Sequence, residues 1–112
     1  MPGAFTDAAP RALREEFSAI VSEFHPVGFR LMALSSAEAD TREVLGTIGV
    51  PTLVLWGGDD SRSPLRVAEQ LQPAIPRAEL AVIPNAGHLS NMEQPGAFNA
   101  HVRRFCLGRD PA

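Results

Sequence analysis

The first third of the chain has the hydrophobic spacing of amphipathic helices. Within residues 10–24 the apolar positions recur at i, i+4, i+7, i+8 and i+11, which is the spacing of one helix face; these positions are Leu13, Phe17, Ile20, Val21 and Phe24. Pro26 ends this predicted helix. The apolar run at residues 29–34 predicts a second, short helix, residues 35–40 a polar turn, and residues 41–48 a further helical turn.

A different pattern follows Pro51. Residues 52–56 are continuously apolar and lie between that proline and a Gly-Gly pair, which is typical of a central parallel strand covered on both faces. Ser63 and Pro64 predict a helix start with proline at the first helical position, and the helix continues to about residue 74. Residues 80–83 predict a second strand, so the segment is a βαβ unit of an α/β fold.

The last predicted helix runs over about residues 95–107. Its expected inner face consists of Phe98, Val102, Phe105 and Cys106.

Composition narrows the class of protein without choosing a fold. Of 112 residues, 45% are hydrophobic and 21% are charged, which is typical of a globular domain. The net charge is -3 and the ten basic residues, all arginine, are scattered, so no nucleic-acid partner is expected.

No segment resembles a secretion signal or a membrane span. The single cysteine, Cys106, fits a reducing compartment, so we expect a cytoplasmic protein.

Polar loops follow both predicted strands, at the carboxyl ends where α/β sheets carry their reactive groups. Asp59 and Asp60 follow the first strand and His88 follows the second. A carboxylate placed there can accept the Nδ1 hydrogen of an imidazole. The alternatives are that Asp60 only caps the next helix and that His88 is an ordinary surface residue. Acid and then base on consecutive strands matches the end of the Ser, Asp, His order of α/β-hydrolases.

Three motifs carry a resemblance to the α/β-hydrolase fold superfamily over about residues 40–107. They are the run Val-Pro-Thr-Leu-Val-Leu-Trp-Gly at 50–57, Asp60 with Pro64 four residues later, and Gly-His-Leu-Ser-Asn-Met-Glu-Gln-Pro at 87–95. The resemblance implies that Asp60 is the triad acid, in preference to Asp59, and that His88 is the general base. It also implies that the two strands are the last two of a mainly parallel eight-stranded sheet.

The resemblance further implies a division of the chain and a type of activity. Residues 1–39 resemble the end of a cap or lid region, and residues 40–112 resemble the C-terminal βαβα part of the core. The motif at residues 88–95 is similar to that of esterases and lactonases of the 3-oxoadipate enol-lactonase type. This implies hydrolysis of an ester, lactone or similar bond in a small-molecule substrate, with no cofactor and no metal.

Several residues have a structural and a functional interpretation. Phe24, Phe29 and Met32 would face substrate if residues 1–39 form a lid, but packing in the core is the expected role. His25 and His101 lack acidic or cysteine partners at ligand spacing and are expected to be surface or packing residues. Cys106 is expected to be a small buried residue of the last helix.

The family's nucleophile has no counterpart in the sequence. A Gly-x-Ser-x-Gly elbow is absent and every serine lies outside such a pattern; neither Cys106 nor Ser90 is expected to replace it. We therefore expect a C-terminal fragment that is inactive alone and depends on a missing N-terminal half or on self-association; Met1 would then be a false start, the result of a split gene, or part of a longer chain. The alternative is a non-catalytic remnant of the fold that oligomerises or binds a partner.

Overall fold

The computed structural model describes residues 3–108 and shows the predicted succession of helices, strand, helix, strand and helices. Its elements, in chain order, are α1 (Arg11–Ser22), α2 (Pro26–Glu38), a 3₁₀ helix (Arg42–Thr47), β1 (Thr52–Gly57), α3 (Leu65–Ala74), β2 (Ala78–Ile83), α4 (Ser90–Glu93) and α5 (Pro95–Cys106).

The two strands form a parallel pair within the part of the chain that the structure describes. The register runs from Thr52 opposite Ala78 to Gly57 opposite Ile83. Since parallel strands end on the same side, the loops that follow β1 and β2 emerge next to each other. This register brings the loop containing Asp60 beside the loop containing His88.

Helices cover both faces of the sheet, as the continuous apolar run predicted. On one face Val54 packs with Ala68 and Ile75 of the α3 region, and these three residues are the centre of the core. On the other face Glu79 forms an ion pair with Arg104 of α5, with 3.1 Å between Oε1 and Nη1. Alternation along a strand places successive side chains on opposite faces, so β1 and β2 lie between α3 and α5.

The helix α2 is longer than predicted. It continues through Ser35 to Glu38, so the expected polar turn over residues 35–40 is wrong for most of its length. Serine, alanine and glutamate all tolerate a helix, and neither proline nor glycine interrupts them. The chain turns at Asp40, where hydrogen bonding from the Arg42 side chain lowers the pKa of the Asp40 carboxyl from 3.8 to about 2.

Residues expected to pack in a core from α1 and α2 are exposed. Phe24 is 44% exposed, Phe29 36% and Met32 58%, and with His25 and Gly28 they line an open groove of about 420 Å³. The expectation that they pack in the core is therefore wrong for the described chain. Both segments are helical as predicted, but neither α1 nor α2 has a buried residue.

The last helix packs through a different face from the predicted one. Val102 and Cys106 are exposed, whereas Phe98 and Phe105 are partly buried as expected. His101 and Arg104 are also partly buried and lie on the same face of α5. Arg104 is on this face because its side chain forms the ion pair with Glu79 of β2. The buried role expected for Cys106 is wrong, and the packing role expected for His101 is compatible with its position.

One helix start differs from its prediction, and one short helix was not predicted. Pro64 lies at the N-cap of α3, one position before the predicted one, and no side chain caps the helix there. The loop after β2 contains the short helix α4. Its four residues are too few to show the hydrophobic period from which a helix is predicted.

Candidate active site

The loop after β1 holds Asp60 in a fixed orientation. Asp60 is buried, and its Oδ1 accepts hydrogen bonds from the backbone N–H groups of Arg62 and Ser63, both at 2.9 Å. These bonds close a turn before α3 and leave the other oxygen, Oδ2, available. The alternative that Asp60 only caps α3 is wrong, because no side chain caps that helix; one oxygen organises the loop while the other can face a partner.

That partner is His88. The distance between His88 Nδ1 and Asp60 Oδ2 is 2.9 Å. The Asp60 side chain is 4% exposed and that of His88 is 37% exposed. Because a carboxylate oxygen can only accept, Nδ1 carries the hydrogen of this bond, and in a neutral ring the lone pair then lies on Nε2. An imidazole in this tautomer, anchored at one nitrogen and open to solvent at its edge, can accept a proton at Nε2.

Asp59 is placed differently. It is exposed, and its backbone N–H donates to the carbonyl of Ala86 at 2.9 Å. It lines a small cleft of about 280 Å³ together with Phe5, Thr6, Asp7 and Ser61. Of the two neighbouring aspartates, the structure therefore brings Asp60 and not Asp59 against His88.

The two loops approach each other closely at Gly57. Gly58 N–H donates to the carbonyl of Ile83 at 2.8 Å, which extends the strand pairing by one bond. A β-carbon built on Gly57 would lie 2.2 Å from the carbonyl oxygen of Gly87 and 2.6 Å from that of Ala86. Glycine is required here by a close contact between backbones.

Sequence reasoning missed three parts of the site. The indole N–H of Trp56 donates to the carbonyl of Ser63 at 2.8 Å and so ties the Asp60 loop to β1. Glu93 and the segment 3–9 contact the His88 loop. A tryptophan at the end of a predicted strand was a usable signal, because a buried indole N–H needs an acceptor. No local signal marks residues 3–9, which lie about eighty positions before His88 in the chain.

No nucleophile contacts the base in the part of the chain that the structure describes. Within residues 3–108, the side chain hydrogen-bonded to His88 is that of Asp60 alone. Ser90 is buried at the start of α4 and Cys106 is exposed on α5. Residues 3–108 also contain no group of three or more His, Cys, Asp or Glu side chains placed to hold a metal ion, and none of their helices has the length and apolar character needed to cross a membrane.

Comparisons with known proteins agree with this architecture. A family model described as alpha/beta hydrolase fold matches residues 14–95. A 2-hydroxy-6-oxononadienedioate/2-hydroxy-6-oxononatrienedioate hydrolase of Cupriavidus pinatubonensis is 41% identical over 54% of this chain and 21% of its own length. A pimeloyl-[acyl-carrier protein] methyl ester esterase of Neisseria meningitidis is 38% identical over 68% of this chain and 30% of its own.

A solved structure gives the same result. A thermophilic esterase from Thermogutta terrifontis superimposes with a TM-score of 0.65 and 39% identity, over 68% of this chain and 28% of the esterase. The chain thus spans between about a fifth and a third of the length of these relatives. All three relatives are named as hydrolases or esterases. These names do not favour the alternative that the chain is a non-catalytic remnant of the fold.

Proposed function

Because the chain belongs to the α/β-hydrolase fold family, we propose that it supplies the acid and the general base, Asp60 and His88, of an enzyme that hydrolyses an ester, lactone or similar small-molecule bond. The observation that carries the proposal is the 2.9 Å contact between His88 Nδ1 and Asp60 Oδ2. The other oxygen of Asp60 is already engaged by two backbone N–H groups, so the carboxylate is oriented before substrate arrives.

The chemistry assigned to this pair follows from its geometry. As a nucleophile attacks the carbonyl carbon of the substrate, His88 Nε2 takes the proton from the nucleophile's hydroxyl. The ring then carries a positive charge, and Asp60 Oδ2 stabilises it through the Nδ1 hydrogen bond. His88 gives the proton to the departing alcohol oxygen. A water molecule then attacks the acyl intermediate with the same base, releasing the acid and the free nucleophile.

The nucleophile and the oxyanion hole are proposed to come from polypeptide outside these 112 residues. The chain spans 21% and 30% of the two curated relatives described above, and no serine hydroxyl is bonded to His88 within residues 3–108. An N-terminal α/β-hydrolase portion would supply both on a Gly-x-Ser-x-Gly elbow. A second copy of the chain is the other possible partner, but it lacks that motif as well.

Residues 1–39 are proposed as the end of a cap and residues 40–112 as the C-terminal part of the core. The open groove lined by Phe24, Phe29 and Met32 supports this division, because apolar side chains that are exposed here would be covered by substrate or by the rest of the protein. We also propose a cytoplasmic location, on the basis of the single cysteine.

The proposal is tested by co-expressing the chain with the N-terminal portion of the Neisseria esterase and measuring hydrolysis of a short-chain p-nitrophenyl ester. We expect no turnover by the 112 residues alone and turnover by the assembly. His88→Ala should lower kcat by about 10²- to 10⁴-fold, since a general base contributes about that much. His101→Ala on α5 is the matched control and should leave the rate unchanged. Turnover in the assembly that His88→Ala does not affect would contradict the proposal.

A further inference from the structure

The backbone is anchored on both sides of His88. The N–H of Gly87 donates to Oε1 of Glu93 at 3.0 Å. The N–H of Leu89 donates to the carbonyl of Ala4 at 2.9 Å. The residue that carries the imidazole therefore lies between two neighbours whose backbone N–H groups are both held by hydrogen bonds, one within the loop and one to the start of the chain.

The Glu93 carboxylate joins this loop to the start of the chain. Besides Gly87, its Oε1 accepts from the backbone N–H of Thr6 at 3.0 Å, and its Oε2 accepts from the Thr6 hydroxyl. A carboxylate with three donors from two separate segments forms charge-assisted hydrogen bonds, which are stronger than bonds between neutral groups. Glu93 therefore bridges Gly87 and Thr6, and residues 3–9 lie against the loop.

Close packing restricts the same loop. A β-carbon built on Gly87 would lie 3.1 Å from the backbone of Phe5 and Thr6, and one built on Gly57 would lie 2.2 Å from the Gly87 carbonyl oxygen. The peptide before His88 is thus confined between the end of β1 and residues 5–6. Besides the Leu89–Ala4 hydrogen bond, the bridge through Glu93 is the polar link that holds Thr6 against this loop.

We propose that Glu93 is a positioning residue for His88: by tying Gly87 to Thr6, its carboxylate keeps the imidazole aligned with Asp60. The inference rests on the proposed function of the Asp60–His88 pair and deepens it. Glu93 hydrogen-bonds backbone and hydroxyl groups of Gly87 and Thr6 and makes no hydrogen bond to the imidazole. Its effect on the base therefore passes entirely through the backbone of the loop.

The test follows the hydrogen on His88 Nδ1 by proton NMR of the 112-residue chain, with the resonance assigned by its absence in His88→Ala. Hydrogen bonding to buried Asp60 should protect this hydrogen from exchange with water. In Glu93→Ala we expect the resonance to be lost, or to exchange at least about tenfold faster, because a charge-assisted bond is worth about that factor or more. Glu93→Gln should restore most of the protection, since the amide oxygen can still accept from Gly87 and Thr6.

Glu79→Ala is the matched control, because it also removes a carboxylate engaged in a tertiary contact, the ion pair with Arg104. It should lower stability and leave the His88 resonance unchanged. Wild-type exchange in a folded Glu93→Ala chain would overturn the proposal, and so would equal loss of the resonance in both variants. If Glu93→Ala does not fold, Glu93→Asp decides: its side chain is one methylene shorter and cannot span Gly87 and Thr6, so wild-type exchange in it would equally overturn the proposal.

Asp60→Ala separates this inference from the function on which it rests, because alanine leaves no acceptor for the Nδ1 hydrogen. If the resonance persists unchanged in Asp60→Ala, the Asp60–His88 pair itself is wrong. If it is lost in Asp60→Ala and retained in Glu93→Ala, only the role of Glu93 is wrong.

Discussion

At the scale of single residues, the candidate site depends on two features. One is a close contact between backbones that excludes any side chain, and the other is a set of carboxylate oxygens that accept hydrogen bonds from backbone N–H groups. Asp60 and Glu93 each accept hydrogen bonds from two or more donors, so both are fixed without a charged partner among those donors. Gly57 serves the site in another way, since the absence of a side chain lets the two loops touch. A carboxylate and an imidazole on separate loops can then meet at hydrogen-bonding distance.

Gly57→Ala should destabilise the chain by about 1–3 kcal/mol, because its methyl group would overlap the carbonyl oxygens of Gly87 and Ala86 and the loops would have to separate. Urea denaturation followed by circular dichroism measures the change. Gly96→Ala is the control, since a β-carbon there meets nothing within 4 Å; it should change stability by less than about 1 kcal/mol. Equal stability of the two variants would contradict the close approach at Gly57.

At the scale of elements, the βαβ unit aligns the site through its register and its two-sided packing. Ile83 is the last residue of β2 and is completely buried, and its carbonyl accepts from Gly58. Val82, on the opposite face, is 37% exposed. The position of the His88 loop therefore depends on a strand end that is packed on one face and open on the other.

Ile83→Ala should cost about 2–5 kcal/mol of unfolding free energy, since it removes three buried carbon atoms and leaves a cavity. Val82→Ala, one position earlier, should cost less than about 1 kcal/mol because the side chain is partly in water. Denaturation midpoints of the two variants measure the difference. A larger loss for Val82→Ala would mean that the faces of β2 are assigned the wrong way round.

At the scale of the whole molecule, the described chain leaves apolar surface uncovered. Its radius of gyration is 15.7 Å, compared with about 13 Å for a compact domain of 100 residues. Neither α1 nor α2 contains a buried residue. The helix α2 exposes Val27, Leu31, Met32 and Leu34 at 51% or more of each residue's surface. Surface of this kind in monomeric proteins marks a place where another polypeptide or a ligand binds.

We expect the isolated 112-residue chain to elute from a size-exclusion column as a species larger than 12.0 kDa, because self-association buries the apolar side chains of α2. The double variant Leu31→Glu with Met32→Lys should shift the elution toward the monomer. Because neither residue contacts the Asp60–His88 pair, the His88 Nδ1 resonance should be unchanged. A wild-type chain that elutes as a monomer at micromolar concentration would contradict this prediction.

The sequence by itself determined the order of the elements, the parallel strand pair and the identity of the acid and base candidates. Those features depend on hydrophobic period, proline and glycine positions and motif spacing, all of which are local. The tertiary structure alone decided that α2 stays exposed and that Val102 and Cys106 face outward. It also decided that Glu93, which binds Gly87 nearby, reaches Thr6, a residue 87 positions earlier in the chain. Such contacts depend on which surfaces the rest of the chain covers, and the local pattern of residues does not contain that information.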